Sequence, residues 1–493
     1  MLELTKKYCP ESVFIFTSTN KVYGDNPNRL NFIETKYQWN VSKKQKYFKG
    51  IDETTSVDNC NHNLFCVSKA YADLLVQEYN KNFGIKTACF IALIYNIYNK
   101  INISMKADIV IIGGVGHIGL PLGILFANKG KSVILYDKDK RYIKQVNNLK
   151  MPFLEKGGEK LLKKNKKRIL ATSNKEFIKN AESVIICIGT PVKNSKPDLK
   201  FFFKMFKEVK HLLDPKKPLI IRSSIYPGVC LKVQKFLGKK FQNISYCPER
   251  VVQGKSIEEL PKLPQIISGV SLKAIKSSKK IFKIICKKVI VTTVLEAELI
   301  KLFSNAWRYI NFSTSNQFYM ICEKLDVNFH KLRKNMIEGY ERNKDIPKAG
   351  FAAGPCLYKD TAQLNSFLKD EFTLGKAATE INTSFPKFIY KKMFKKYKNN
   401  LNKKNIGILG IAFKSNIDDI RDSLSIDLWQ YLKKKKLNVK ISDNFVKMKE
   451  NIKASELIKT CNIIILGAPH TAYKNLKIPK NKFLIDSWGF FEK

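Results

Sequence analysis

The stretch ADIVIIGGVGHIGLPLGILFANKG, residues 107–130, decides the fold. It begins with a short apolar run of the kind that forms a strand buried on both faces. Gly114-Val115-Gly116-His117-Ile118-Gly119 follows directly and opens into a helical stretch that stops at Gly130, as a helix C-cap would. A G-x-G-x-x-G turn between strand and helix lets a dinucleotide pyrophosphate approach the backbone and the positive end of the helix. Asp137 ends the next apolar run, VILYD, about twenty residues on, where a carboxylate accepts hydrogen bonds from an adenosine ribose and repels a 2′-phosphate. The expectation is an NAD site built on Gly114, Gly116, His117, Ile118, Gly119 and Asp137.

The same rhythm continues on either side. SVIICIG (183–189) and PLIIRSS (218–224) are further apolar strands separated by helical stretches, the alternation that builds a parallel sheet. Near the C-terminus NIGILGIAF (405–413), VKIS (439–442), CNIIILGA (461–468) and FLID (483–486) predict a second, smaller parallel sheet. Between them a long amphipathic helix is expected from about Val294 to Leu325, with Leu295, Leu299, Leu302, Phe303, Ala306, Trp307 and Ile310 on its buried side. The Lys-rich stretch from Lys387 to Lys404 reads as a linker or a solvated helix face. The expected fold is α/β: two Rossmann-like parallel-sheet domains, 105–290 and 396–493, joined by a central helical segment, 291–395, and preceded by a partial α/β fragment, 1–104.

Charge and cysteines narrow the function. The 493 residues carry a formal charge of +47, which by itself points to nucleic acid or an anionic surface. Yet the cations are 80 Lys against 9 Arg, spread along the chain, whereas phosphate and base-edge recognition favours the guanidinium fork. No nucleic-acid partner is expected; an anionic nucleotide substrate would still gain from the field. No run approaches the roughly 18 apolar residues of a membrane span, and MLELTKKYCPES lacks a signal-peptide core. The eleven cysteines form no Cys-x-x-Cys pair and no zinc spacing, so no metal is expected and a reducing cytoplasm is the expected compartment.

One cysteine stands out by its surroundings. GFAAGPCLYKDT (350–361) sets Cys356 in a loop of small residues with Lys359 and Asp360 close behind, a setting that admits a substrate to sulfur and stabilises a thiolate. On the long helix Lys301 and Asn305 lie one turn apart and share a face, two donors suited to an oxyanion if they border a cleft, or a solvated lysine beside an incidental asparagine if they do not.

GGVGHIGLPLG, CIGTP (187–191), IRSSIYPG (221–228), CPERVVQGK (247–255), EAELIKLFSNAWR (296–308), GPCLYKD (354–360) and GIAFKSNIDDIRDS (410–423) resemble the successive signature blocks of the UDP-glucose/GDP-mannose dehydrogenase family, in family order over residues 105–493. The resemblance implies oxidation of the C6 alcohol of a UDP-sugar to a carboxylate with two NAD, in a homodimer. It implies that Cys356 is the nucleophile, that Lys301 and Asn305 stabilise the oxyanion, and that Asp360 and Ser224 hold the hydrolytic water. Glu249 would assist as a general base, Thr190 would line the cofactor site, and Lys414 and Arg421 would contact the sugar nucleotide. CPER and GPCL are closer to the branch acting on UDP-N-acetylhexosamines, such as UDP-N-acetylmannosamine or UDP-N-acetylglucosamine, than to the UDP-glucose branch, which reads PEFL and GSCF and has Glu where this chain has Gln253. The competing reading from another class is a non-catalytic basic binding protein on the same scaffold.

Ahead of this lie TSTNKVYGD (17–25), NLFCVSKAYADLLVQEY (63–79) and FGIKTACF (83–90), which resemble the middle of a CDP-paratose/CDP-tyvelose epimerase of the extended short-chain dehydrogenases. Such an enzyme needs a glycine-rich loop and a Tyr-x-x-x-Lys pair for proton transfer. Neither is present, since Phe65 precedes Lys69 by four, and the segment is expected to be catalytically inert.

Overall fold

Strands form where β-branched and apolar residues run together, and here both faces of those runs are covered. In the computed structural model, which describes residues 1–19, 32–34, 39–41, 64–92, 106–190, 192–193, 196–197, 199–369 and 371–492, the chain divides into two compact units, Met1–Ser104 and Met105–Lys493. In the first, strand β1 (Phe14–Thr19) and strand β2 (Thr87–Ala92) pair in parallel, with helix α1 (Leu64–Phe83) between them in sequence. Residues 20–25 of the TSTNKVYGD block and the side chain of Phe65 lie outside the described residues.

The second unit opens with β3 (Ile109–Ile112), helix α2 (Gly119–Asn128) and β4 (Val133–Tyr136), followed by β5 (Ile169–Thr172), β6 (Val184–Ile186), β7 (Leu219–Ile221), β8 (Ile244–Tyr246), β9 (Gln265–Gly269) and β10 (Val289–Val291). They form one eight-stranded sheet in the order β10-β9-β8-β7-β6-β3-β4-β5. Every pairing is parallel except β8 with β9. The first six strands follow the order of a doubly wound dinucleotide-binding sheet. Its direction reverses between β3 and β6, so the loop after β3 and the loop after β6 diverge and leave a crevice there. All four residues of β3 and of β4 are buried, the pattern of strands covered by helices on both faces.

Helix α3 (Val294–Lys324) leaves the sheet through a capping box, in which the Thr293 hydroxyl accepts from the Glu296 amide and Glu296 accepts from the Thr293 amide. Its packing departs from the sequence expectation. Ala297, Lys301, Leu302, Asn305, Ala306 and Tyr309 are buried, whereas Leu295 (54% exposed), Phe303 (54%) and Trp307 (65%) face outward. The apolar residues circle more of the helix than one core can cover, and helices α4 (Leu357–Phe367) and α5 (Thr373–Tyr397) pack against the face that carries Lys301 and Asn305. The Lys-rich stretch begins inside α5, where Ile389 and Met393 are buried and the lysines form the solvated side.

The last layer is β11 (Asn405–Leu409), β12 (Asn438–Ser442), β13 (Ile463–Leu466) and β14 (Phe483–Ile485), all parallel in the order β12-β11-β13-β14. The crevice of this sheet lies between β11 and β13. The loop after β11 carries Lys414 and Arg421. It is pinned by His470, whose Nδ1 accepts from the Asn416 amide at 2.8 Å and whose Nε2 faces Asp443 Oδ2 at 2.9 Å. Because a backbone amide can only donate, Nδ1 must be the unprotonated nitrogen, and Nε2–H donates to the carboxylate.

Candidate active site

Gly114, Gly116 and Gly119 divide the work of the first crevice. A Cβ on Gly114 would lie 2.6 Å from the Leu135 Cα, and one on Gly119 would lie 2.3 Å from the Gly113 carbonyl oxygen, so both positions need glycine for close packing of turn, strand and helix. A Cβ on Gly116 would meet nothing nearer than 3.5 Å; its glycine instead leaves the backbone bare for a ligand. Ile118 begins α2. Asp137, at the end of β4, accepts from the Val115 amide at 3.3 Å and from the Lys138 amide at 2.7 Å, which ties its carboxylate to the glycine loop. The residues present therefore fit a dinucleotide with an unphosphorylated ribose. Across the crevice the Thr190 hydroxyl donates to the Ser224 carbonyl, linking the loops after β6 and β7.

The second cluster is assembled from parts distant in sequence. Asp360, on the first turn of α4, is fully buried. Its Oδ2 accepts from Asn305 Nδ2 at 2.6 Å and lies 3.9 Å from Lys301 Nζ; Lys359 Nζ is 3.5 Å from Oδ1. Oδ1 itself makes no hydrogen bond among the described residues. Lys301 and Asn305 are thus both buried and both face the Asp360 carboxylate. Cys356 occupies the N-cap of α4 and is exposed, at the positive end of the helix dipole. It lies within Coulombic reach of Lys414 and Arg421.

The cysteine loop is locked against the C-terminal sheet. Gly354 (φ +104°) donates its amide to the Asp422 carbonyl at 3.1 Å, and a Cβ there would lie 2.3 Å from the Phe413 ring. Only glycine permits this approach, which brings Cys356 up to the segment bearing Lys414 and Arg421. Lys414 Nζ donates to the Gln253 carbonyl at 2.6 Å. Burial, reinforced by the nearby Arg308, brings its pKa down to about 8. It is therefore a cation at neutral pH and loses its charge as pH rises through about 8. Affinity for UDP, measured by calorimetry from neutral to alkaline pH, is expected to fall over that interval in the native chain and to stay level in Lys414→Arg; a flat native profile would exclude Lys414 from the nucleotide contact.

Glu249, the general base that the resemblance implies, is held by four donors. Its Oε2 accepts from both Nε (3.0 Å) and Nη2 of the buried Arg222, and its Oε1 accepts from the Arg250 amide (2.7 Å) and the Val251 amide (3.0 Å). These four contacts tie the Glu249 carboxylate to Arg222 and to the loop that leads to Gln253. Motif reading also missed Glu298. This buried residue of α3 accepts from the Gly228 amide (2.7 Å) and the Cys230 amide (2.9 Å), tying the loop after Ser224 to the helix of Lys301. An acid one turn before Lys301 was its only signal.

Comparison with known proteins identifies the family. Residues 107–286, 295–384 and 407–493 match, respectively, the NAD binding, central and UDP binding domains of the UDP-glucose/GDP-mannose dehydrogenase family. The chain is 28% identical to UDP-N-acetyl-D-mannosamine dehydrogenase of Pyrococcus horikoshii over 397 residues, covering 76% of this chain and 93% of that protein. It is 27% identical to UDP-glucose 6-dehydrogenase of Rickettsia felis over 389 residues, covering 74% and 87%. The solved structure of the P. horikoshii UDP-D-ManNAc dehydrogenase superposes with a TM-score of 0.70 at 27% identity, covering 75% of this chain and 91% of that one. With three family domains in order around one glycine loop and one cysteine loop, the chain belongs to the UDP-glucose/GDP-mannose dehydrogenase family and is an NAD-dependent nucleotide-sugar dehydrogenase.

Proposed function

We propose that the chain oxidises the C6 primary alcohol of a UDP-sugar, UDP-N-acetylmannosamine or UDP-N-acetylglucosamine before UDP-glucose, to the carboxylate through covalent intermediates on Cys356. The observation that carries this reading is the exposed Cys356 at the head of α4 beside the buried Asp360, with Lys301 and Asn305 facing that carboxylate. Bound NAD supplies the hydride acceptor, twice per sugar. The Cys356 sulfur adds to the C6 aldehyde to give a thiohemiacetal, whose oxidation leaves a thioester. The Lys301 ammonium and Asn305 amide stabilise the negative oxygen at each stage. Asp360 and Ser224 hold the water whose attack breaks the C–S bond, releasing the carboxylate and returning the thiol. Lys414 and Arg421 hold the sugar nucleotide.

The N-acetylhexosamine preference rests on the CPER and GPCL blocks and on the names of relatives such as that of P. horikoshii. NADH released per mole across a panel of UDP-sugars tests it; two NADH from UDP-glucose alone would replace the N-acetylhexosamine by glucose. Discrimination between cofactors is expected at Asp137. NAD should be used at least about a hundredfold more efficiently than NADP, by repulsion of the 2′-phosphate, and Asp137→Asn should narrow the gap. Equal kcat/KM for both cofactors in the native chain would contradict the role of this carboxylate.

The exposed apolar positions of α3, Phe303 and Trp307 with Ile321 and Leu325 further along, fit the contact face of a homodimer. Among the described residues no helix is long and apolar enough to cross a membrane, and the nine described cysteines are free, which fits a reducing cytoplasm. Residues 1–104 are proposed to stand apart from catalysis. A chain starting at Met105 should keep kcat/KM to within a few-fold, less than about 1 kcal/mol of transition-state stabilisation. A truncated protein that stays folded but loses activity by orders of magnitude would place the first unit in the active site.

A further inference from the structure

Gln253 links the loops of the two nucleotide-binding sheets, beside a His117 Nε2 that lies 3.9 Å from Asp419 Oδ2 and a Leu154 amide that donates to the Asp418 carboxylate at 3.3 Å. Gln253, half-buried on the loop after β8, directs its amide nitrogen at two acceptors, His117 Nδ1 at 3.3 Å and Asp419 Oδ2 at 2.9 Å. A carboxamide NH2 carries two hydrogens and can serve both. Its orientation follows from charge, since the opposite flip would aim the amide oxygen at the Asp419 carboxylate. Burial, reinforced by Arg421, brings the His117 pKa down to about 4, so the ring is neutral at physiological pH, and the tautomer protonated on Nε2 is the one whose Nδ1 accepts from the amide. The ring also stacks on Phe153, with centroids 4.0 Å apart.

On the far side, Asp419 holds Arg421. Arg421 Nε donates to both carboxylate oxygens at 3.0 Å, and Nη2 donates to Oδ2 at 2.6 Å. The backbone carbonyl of Gln253 meanwhile accepts from Lys414 Nζ. A continuous polar chain therefore runs from the glycine loop of the first sheet, through Gln253, to the lysine and arginine of the second.

We infer that Gln253 is a positioning residue that couples the two ligands, transmitting the placement of His117 in the dinucleotide loop to Asp419, Arg421 and Lys414 in the nucleotide-sugar loop. The inference rests on the proposed role of Lys414 and Arg421. A dinucleotide that settles the glycine loop settles His117 as well, and with it the amide that orients Asp419. Arg421 and Lys414 are then already in place when the sugar nucleotide arrives. Thermodynamic linkage requires the effect to be reciprocal and of equal size in both directions.

The test is calorimetric titration of the full chain with UDP, with and without saturating NADH, and with NADH, with and without saturating UDP. Each ligand is expected to tighten the other about tenfold. Gln253→Met keeps the side-chain length but removes the donor, and should reduce the mutual effect to within twofold. Gln253→Glu should lose the effect as well, because its carboxylate would face the Asp419 carboxylate. A role confined to folding predicts instead that Gln253→Met weakens both ligands while the mutual effect stays about tenfold; that result overturns the inference. So does independent binding of UDP and NADH in the native chain. Arg421→Gln separates the two levels of argument. If it leaves UDP affinity unchanged, the reading of that loop as the nucleotide-sugar contact fails; if it weakens UDP while Gln253→Met retains full coupling, only the coupling fails.

Discussion

Cys356→Ser is expected to stop the reaction between its two oxidations. The first hydride transfer leaves an aldehyde without needing sulfur, but the second requires a tetrahedral adduct on the enzyme, and a serine hydroxyl is a far weaker nucleophile at neutral pH than a thiolate. The α4 N-terminus beneath residue 356 and the neighbouring Lys414 and Arg421 place positive charge beside the sulfur in the native chain. Formation of the carboxylate should fall by at least about a thousandfold, roughly 4 kcal/mol of barrier. NADH yield in a single turnover should drop from two per sugar towards one or below, with UDP affinity little changed. A serine variant that still delivers two NADH per sugar near the native rate would exclude the covalent route.

Lys301→Met should produce the next largest loss. Every stage of the proposed reaction places negative charge on one oxygen, and Lys301 is the nearly buried cation facing Asp360 on the same helix face as Asn305. Removing one donor of this kind costs about 10²–10³ in kcat, or about 2.7–4 kcal/mol, with KM changed little because the charge develops on the way to the transition state. The 3.9 Å separation between Lys301 Nζ and Asp360 Oδ2 leaves room for a substrate oxygen to compete for the ammonium. Asn305 remains to satisfy Asp360 in the variant, so the fold should survive. Steady-state kinetics together with a melting curve check this. A folded variant that loses less than tenfold in kcat would remove Lys301 from the oxyanion site.

Much of this architecture can be read without coordinates because it is local. The apolar run 109–112, the glycines after it and Asp137 lie within one strand-turn-helix-strand unit, where each step follows from its neighbours. The same holds for the four strands of the smaller sheet, each a short apolar run bounded by turns. Burial on α3 was less legible. Periodicity shows which residues are apolar but not which side meets a partner, so Leu295, Phe303 and Trp307 were assigned to a core and stand outside it. Glu249 shows a related limit, since a motif can imply a role without showing the arginine, 27 residues away, that occupies the carboxylate.

The sequence alone determined the two parallel sheets, the dinucleotide loop, the cysteine loop and the long helix between them, because strand and helix periods and glycine turns are set by residues within a few positions of one another. Tertiary structure decided that Asn305 closes on Asp360 across 55 residues. It also decided that Gly354 admits Phe413 and that Gln253 bridges His117 to Asp419. These contacts depend on which helix faces which sheet, and a pairing between distant segments is fixed only when their surfaces are packed together.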